Sequence, residues 1–171
     1  DTDFYVSEEF DRILGLKQRG HYLKGKLDDV VGLSLIMDVF RSTKAKNTPS
    51  LLGLLTVREE AGKKGAEFCV ENGFIDEYDL DKMIVLDVTN QQVPSKGIVL
   101  YYDCGFYYAE HKEKGEKIES LKSFKFEKEL VEFAKSKRIP MGVIQGGFND
   151  SFVFARETEI PTVAVQVPVM D

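Results

Sequence analysis

Glu59 and Glu60 stand side by side directly after the apolar run Leu54-Leu55-Thr56-Val57, with Arg58 between. Adjacent carboxylates repel, and they resist burial unless a proton or a cation relieves them. Other acids fall at comparable places. Asp28 and Asp29 precede a long periodic segment, Asp87 closes the apolar stretch "IVLDVT", and Asn149 and Asp150 follow "VIQGG". Carboxylates brought to one place are the usual oxygen ligands of divalent cations. A metal-activated water with a nearby carboxylate base is a common hydrolytic arrangement. Taken singly, each feature has a plainer role. An Asp before a helix caps it, a Glu pair on a surface is solvated, an Asp after a strand caps a turn, and "GG" marks a loop. Only their joint order, each beside an apolar element, points to a metal site.

The elements that must position these acids alternate along the chain. In "DDVVGLSLIMDVFRST", Val30, Leu33, Ile36, Met37 and Phe40 recur at spacings of three and four, which predicts a helix. The run "SLLGLLTV", from Ser50 to Val57, predicts a strand buried on both faces. "KGAEFCVENG" predicts a helix with Gly73 past its end. "DFYV" (3–6), "KMIVLDVT", "GIVLYYD", "MGVIQ" and "IPTVAVQVPV" read as strands. "FEKELVEFAKSKR", stopped by Pro140, and "NDSFVFARET", capped by Asn149 or Asp150, read as helices. The aromatic cluster "YYDCGFYY" reads as ordinary core and edge packing. Lys63 and Lys64 read as a solvated helix start. The alternation predicts an α/β fold with a central mixed, largely parallel sheet and helices on both faces. In such sheets ligands bind beyond the carboxyl ends of the strands.

Composition narrows the class. The chain has 171 residues, 43% apolar and 30% charged, which suits one folded domain. A net charge of -6 argues against a general nucleic-acid binder. No apolar run is long enough to span a bilayer as a helix, and no signal-like segment opens the chain. Cys69 and Cys104 are too few for a disulfide scaffold and form no CxxC pair, so both are expected to be plain thiols. His21 and His111 lie in polar surroundings and are expected at the surface, with no support for a Ser-His or Cys-His pair. A cytoplasmic location is expected.

The motifs "KGKLDDVVG", "LLTVREEAGKKGAE", "IVLDVT", "VIQGGFND" and "EIPTVAVQVP" occur in an order that resembles the dinuclear-metal aminopeptidases. The nearest branch holds the glutamyl, deblocking and tetrahedral aminopeptidases of the zinc exopeptidases. The resemblance runs from about Leu23 onward, and "EE…G…GA" is its most specific piece. It implies a zinc-exopeptidase-like (phosphorylase/hydrolase-like) fold, two divalent metal ions, zinc or cobalt, a peptide substrate and a homo-oligomer. It implies Glu59 as general base and acid, Asp28 bridging the metals, Glu60 and Asp87 each on one metal, and Gly146, Gly147 and Asp150 lining the substrate site.

Departures accompany the match. Val30 stands where the family has Arg after the acid pair, and "GGFND" replaces "GGTDA", which puts Asn149 as an alternative to Asp150. The family's two histidine ligands, one in an upstream HxD and one past the closing strand, have no counterpart in these residues. The expectation is therefore a single catalytic-type domain over 1–171, a part of a longer peptidase lacking its N-terminal portion and extreme C-terminus. The competing reading is a catalytically inactive peptidase-like module for binding or assembly. A third is a related hydrolase acting on N-acyl or C-terminal amide bonds.

Overall fold

The computed structural model describes residues 17–19, 22–24, 28–43, 50–89, 100–102, 105–143 and 148–168. The strand expected at 3–6, together with His21, Cys104, Gly146 and Gly147, lies outside the described residues. Strands β1 (Lys17–Arg19) and β2 (Tyr22–Lys24) form an antiparallel pair of their own. Helix α1 spans Val30–Ser42 and α2 spans Lys64–Glu71. Strand β3 (Met83–Thr89) and β4 (Leu100–Tyr102) follow, then α3 (Gly105–Glu113) and a 3-10 turn at Ile118–Ser120. Helix α4 (Lys122–Ser136), β5 (Met141–Val143), α5 (Asp150–Glu157) and β6 (Thr162–Pro168) complete the described elements.

Among the described residues the main sheet has the order β3-β6-β4-β5. β3 pairs in parallel with β6 from Met83↔Thr162 to Thr89↔Pro168, and β4 pairs in parallel with β5. β4 and β6 are antiparallel. The sheet is thus mixed and largely parallel, as the alternation predicts. β6 lies at its middle, and Thr162 to Gln166 are all buried. Val163, Ala164 and Val165 therefore show the continuous apolar run expected of a strand covered on both faces. Ser123 in α4 is buried and its hydroxyl accepts the Thr162 N–H at 3.0 Å, which ties that helix to the start of β6. Ala66, Ile75, Val153 and Phe154 form a buried cluster, with Leu54, Cys69, Val70, Leu80, Met83, Val85 and Ile160 packed around it. This core joins α2, α5 and β3 beneath the edge that carries the acids.

Three expectations change. The segment 50–57 is extended but is not a strand of the sheet. Leu55 is 58% and Val57 68% exposed, while Leu54 and Thr56 point inward. With no ladder partner among the described residues, alternate side chains meet protein on one side only, so the continuous apolar run is half-covered rather than buried. Asp87 does not end its strand: Val88 and Thr89 continue the ladder against Val167 and Pro168. Gly105–Glu113, within and just after the aromatic cluster, is helical. His111 in that helix is half-buried, bonds Glu116 at 2.7 Å and meets the Tyr107 ring edge-on.

Gly65 lets α2 dock against the extended segment. Its N–H donates to the Val57 carbonyl at 3.0 Å. A Cβ there would lie 2.5 Å from that oxygen and 2.6 Å from the Val57 nitrogen, and backbone on both sides leaves little room to yield. Gly65→Ala is therefore expected to lower stability by about 1–3 kcal/mol. In urea melts this would be a lower midpoint at an unchanged slope. An unaltered midpoint would mean that the approach of α2 to Val57 does not constrain the fold.

Candidate active site

Four stretches supply the acids: the start of α1, β3, the loop into α2 and the start of α5. At the start of α1, Asp29 caps the helix: its carboxylate accepts the Gly32 N–H at 2.9 Å. The Asp28–Asp29 peptide bond is cis. Asp87 is carried in β3 beside its register partner Gln166, whose Nε2 donates to Asp87 Oδ2 at 3.3 Å. The Val88 N–H donates to the other Asp87 oxygen at 2.7 Å. Glu59 opens a tight loop into α2, and its carbonyl accepts from the N–H groups of Gly62 at 3.0 Å and Lys63 at 2.8 Å.

The electrostatics show which of these carboxylates lie near one another. Asp29 is exposed as a residue, yet its carboxyl sits against enough protein to lose water, and that desolvation lifts its pKa to about 7. The Gly32 N–H opposes the rise, and the charges of Asp87 and Asp28 add to it. Burial likewise pushes Asp87 up, against the Val88 N–H and the Asn149 amide, with Asp28 and Glu59 pushing further. Asp150 is raised chiefly by burial, opposed by its bond from Thr56; Glu59 raises it further and Lys63 lowers it. Asp28, Asp87 and Glu59 are therefore coupled by charge, and Asp150 joins through Glu59. Glu60 is exposed.

Asn149 and Asp150 take different tasks. Asn149 is the N-cap of α5; its Oδ1 accepts from the Ser151 N–H at 3.0 Å and the Ser151 hydroxyl at 2.6 Å. Its buried Nδ2 is left toward Asp87 without a well-formed hydrogen bond. Asp150 is buried, and its Oδ2 accepts from the Thr56 hydroxyl at 2.5 Å. Its Oδ1 has no hydrogen-bond partner among the described residues. Two buried polar atoms without a hydrogen-bond partner among the described residues thus lie beside the cluster of acids. Cys69 lies close enough for Asp150 to act on it; burial first, and that charge second, raise its thiol pKa.

Lys63 is the site residue whose place differs most from expectation. It is 5% exposed rather than solvated, and its ammonium lies 3.1 Å from Glu59 Oε1. Lys64 alone behaves as a solvated helix start, paired with Glu67. The sequence signal was the spacing of four between Glu59 and Lys63, which in a tight loop brings the two chain positions together. Thr56 and Gln166 carried no signal, because their partners lie 94 and 79 residues away in sequence.

Carboxylate oxygens close to one another and partly withdrawn from water suit a divalent cation in donor type and in charge. Among the described residues, however, no three His, Cys, Asp or Glu side chains are grouped to hold an ion by themselves. The described residues thus fit part of a metal shell. No helix among them is long and apolar enough to cross a membrane.

A family model of the M42 glutamyl aminopeptidases matches residues 10–171. No curated protein matches the chain. Among solved structures, that of PhTET1-12s, a dodecamer in its asymmetric unit, is similar with a TM-score of 0.55 and 20% identity. The likeness covers 91% of this chain and 45% of that one, so the present chain spans under half the length of that protein. At this identity the likeness is one of fold.

If the acids repel without a cation, removing one charge will relax the metal-free protein. Asp87→Asn is expected to raise its melting temperature, by a stability gain of about 1 kcal/mol. The same change should abolish any rise in melting temperature that zinc or cobalt gives the unaltered protein. A lower melting temperature for metal-free Asp87→Asn would contradict the repulsion.

Proposed function

The chain belongs to the M42 glutamyl aminopeptidase family, and from that membership we propose that the whole protein removes N-terminal residues from peptides by metal-dependent hydrolysis. The observation that carries the reading is the charge-coupled set Asp28, Asp87 and Glu59, at the sheet edge where an α/β fold binds ligands. In this reading Asp28, Glu60 and Asp87 hold two divalent ions, zinc or cobalt. When bound, those ions supply Lewis-acid polarisation and a water of lowered pKa.

The chain's own groups do the rest. Glu59 takes the proton from the attacking water and delivers it to the amine that leaves as the peptide C–N bond breaks. Its side chain retains 35% exposure, which leaves it reachable by a substrate. Asp150, held through its Oδ2 by the Thr56 hydroxyl, offers its other oxygen, which has no partner among the described residues, as an acceptor for a substrate N–H or ammonium. Gly146 and Gly147 belong to the same proposed substrate wall. A cytoplasmic homo-oligomer completes the proposal. The dodecamer seen for PhTET1-12s supports the homo-oligomer alone.

Glu59→Gln in the zinc- or cobalt-loaded whole protein tests the base. The expected result is a fall in kcat on aminoacyl chromogenic substrates of about 100- to 10,000-fold. Bound metal, measured by atomic emission, should stay unchanged. Turnover that survives the change would remove Glu59 from the role. Absence of hydrolysis by the unaltered protein, across aminoacyl, N-acyl and C-terminal substrates, would favour the peptidase-like binding module.

A further inference from the structure

A lysine that is 5% exposed needs an explanation, because an ammonium taken from water is strongly disfavoured unless its charge is met. Lys63 is met on three sides. Glu59 Oε1 lies 3.1 Å from its nitrogen. The Phe148 ring lies beneath it, 3.7 Å to the centroid, a cation–π contact at close range. Asp150 lies within reach of its charge. Phe148 is held in turn between the rings of Phe106 and Phe152, with centroids 5.1 Å away in each case.

The backbone directs the lysine to this place. Lys63 is left-handed at φ 60, one residue after Gly62 at φ 90, and it precedes α2 without capping it by its side chain. Its N–H bonds the Glu59 carbonyl while its ammonium bonds the Glu59 carboxylate. Glu59 is therefore gripped at both ends by one residue. A free glutamate on a loop samples many rotamers, and holding a reacting group in one of them is a substantial part of catalysis.

We propose that Lys63 is a positioning residue for Glu59: seated on the Phe148 ring, its ammonium fixes one carboxylate oxygen and leaves the other turned toward the reacting water. The inference rests on the reading of Glu59 as general base. Lys63 itself touches neither substrate nor metal in this assignment. A cavity of about 370 Å³ lies beside it, lined also by Phe148, Phe152 and Arg156.

The test compares Lys63→Met, Lys63→Arg and Glu59→Gln, singly and combined, in the metal-loaded whole protein with a peptide substrate. Lys63→Met keeps the chain length and removes the charge. It is expected to lower kcat by about 10- to 100-fold with KM within about twofold. Lys63→Arg, which can reach both carboxylate and ring, should recover most of that loss. In the Glu59→Gln background, Lys63→Met should change the residual kcat by less than about twofold, since the group it positions is gone. An equal loss in both backgrounds, a change confined to KM, or full turnover in Lys63→Met would each overturn the proposal. If Glu59→Gln alone retains turnover, the base reading fails instead, and the two failures are thereby separate. Should Lys63→Met not fold, judged by its thermal melt, Lys63→Gln carries the same comparison.

Discussion

The ion pair between the buried Lys63 and the half-buried Glu59 ties two distant parts of the chain into one arrangement. Its carboxylate comes from the loop before α2, its aromatic floor from Phe148 before α5, and the acid it moderates from Asp150 at the start of α5. A paired charge in a place of low dielectric is sensitive to geometry, because losing one partner leaves the other uncompensated. The loop, the start of α5 and the extended segment that bonds Asp150 through Thr56 must therefore sit in one mutual placement. The strain in the loop follows. Arg58 and Lys63 both hold positive φ, which non-glycine residues adopt only when surrounding contacts insist on it.

Around that pair the sheet sets the second constraint. β6 occupies the middle of the sheet and is buried from Thr162 to Gln166, so its register with β3 is determined by packing. That register puts Gln166 opposite Asp87 and gives one of its oxygens a partner. The acid is thereby held in β3, at the end of the described strand order, where burial first and then the charges of Asp28 and Glu59 raise its proton affinity. Such an arrangement sacrifices stability locally, and sites that bind charged groups are where proteins keep it. The open Nδ2 of Asn149 and Oδ1 of Asp150 belong to the same pattern.

Much of the scaffold was legible in the residues. α1, α4 and α5 follow from apolar spacings of three and four with their stops, and β3 and β6 from apolar runs bounded by turn residues. A cap at Asn149 or Asp150 follows from their place before a helical segment, and the structure uses Asn149; Gly73 past α2 is left-handed at φ 67 as a helix terminator should be. The acid order along the chain was legible too, since each acid sits next to an apolar element. α3 escaped because Phe106, Tyr107 and Tyr108 are consecutive, which hides any helical period. The run 50–57 misled because a continuous apolar stretch states affinity for an interior and says nothing about whether partners cover both of its sides.

The sequence by itself determined the local elements and the identity of the acids, since helical and strand periods and capping act over a few residues. Tertiary structure alone decided what meets what. Thr56 finds Asp150 across 94 residues, Gln166 finds Asp87 across 79, and Lys63 leaves solvent for the face of Phe148. The reason is physical: burial and charge pairing depend on distances between remote segments, and those distances exist only once the sheet register and the docking of the helices are complete.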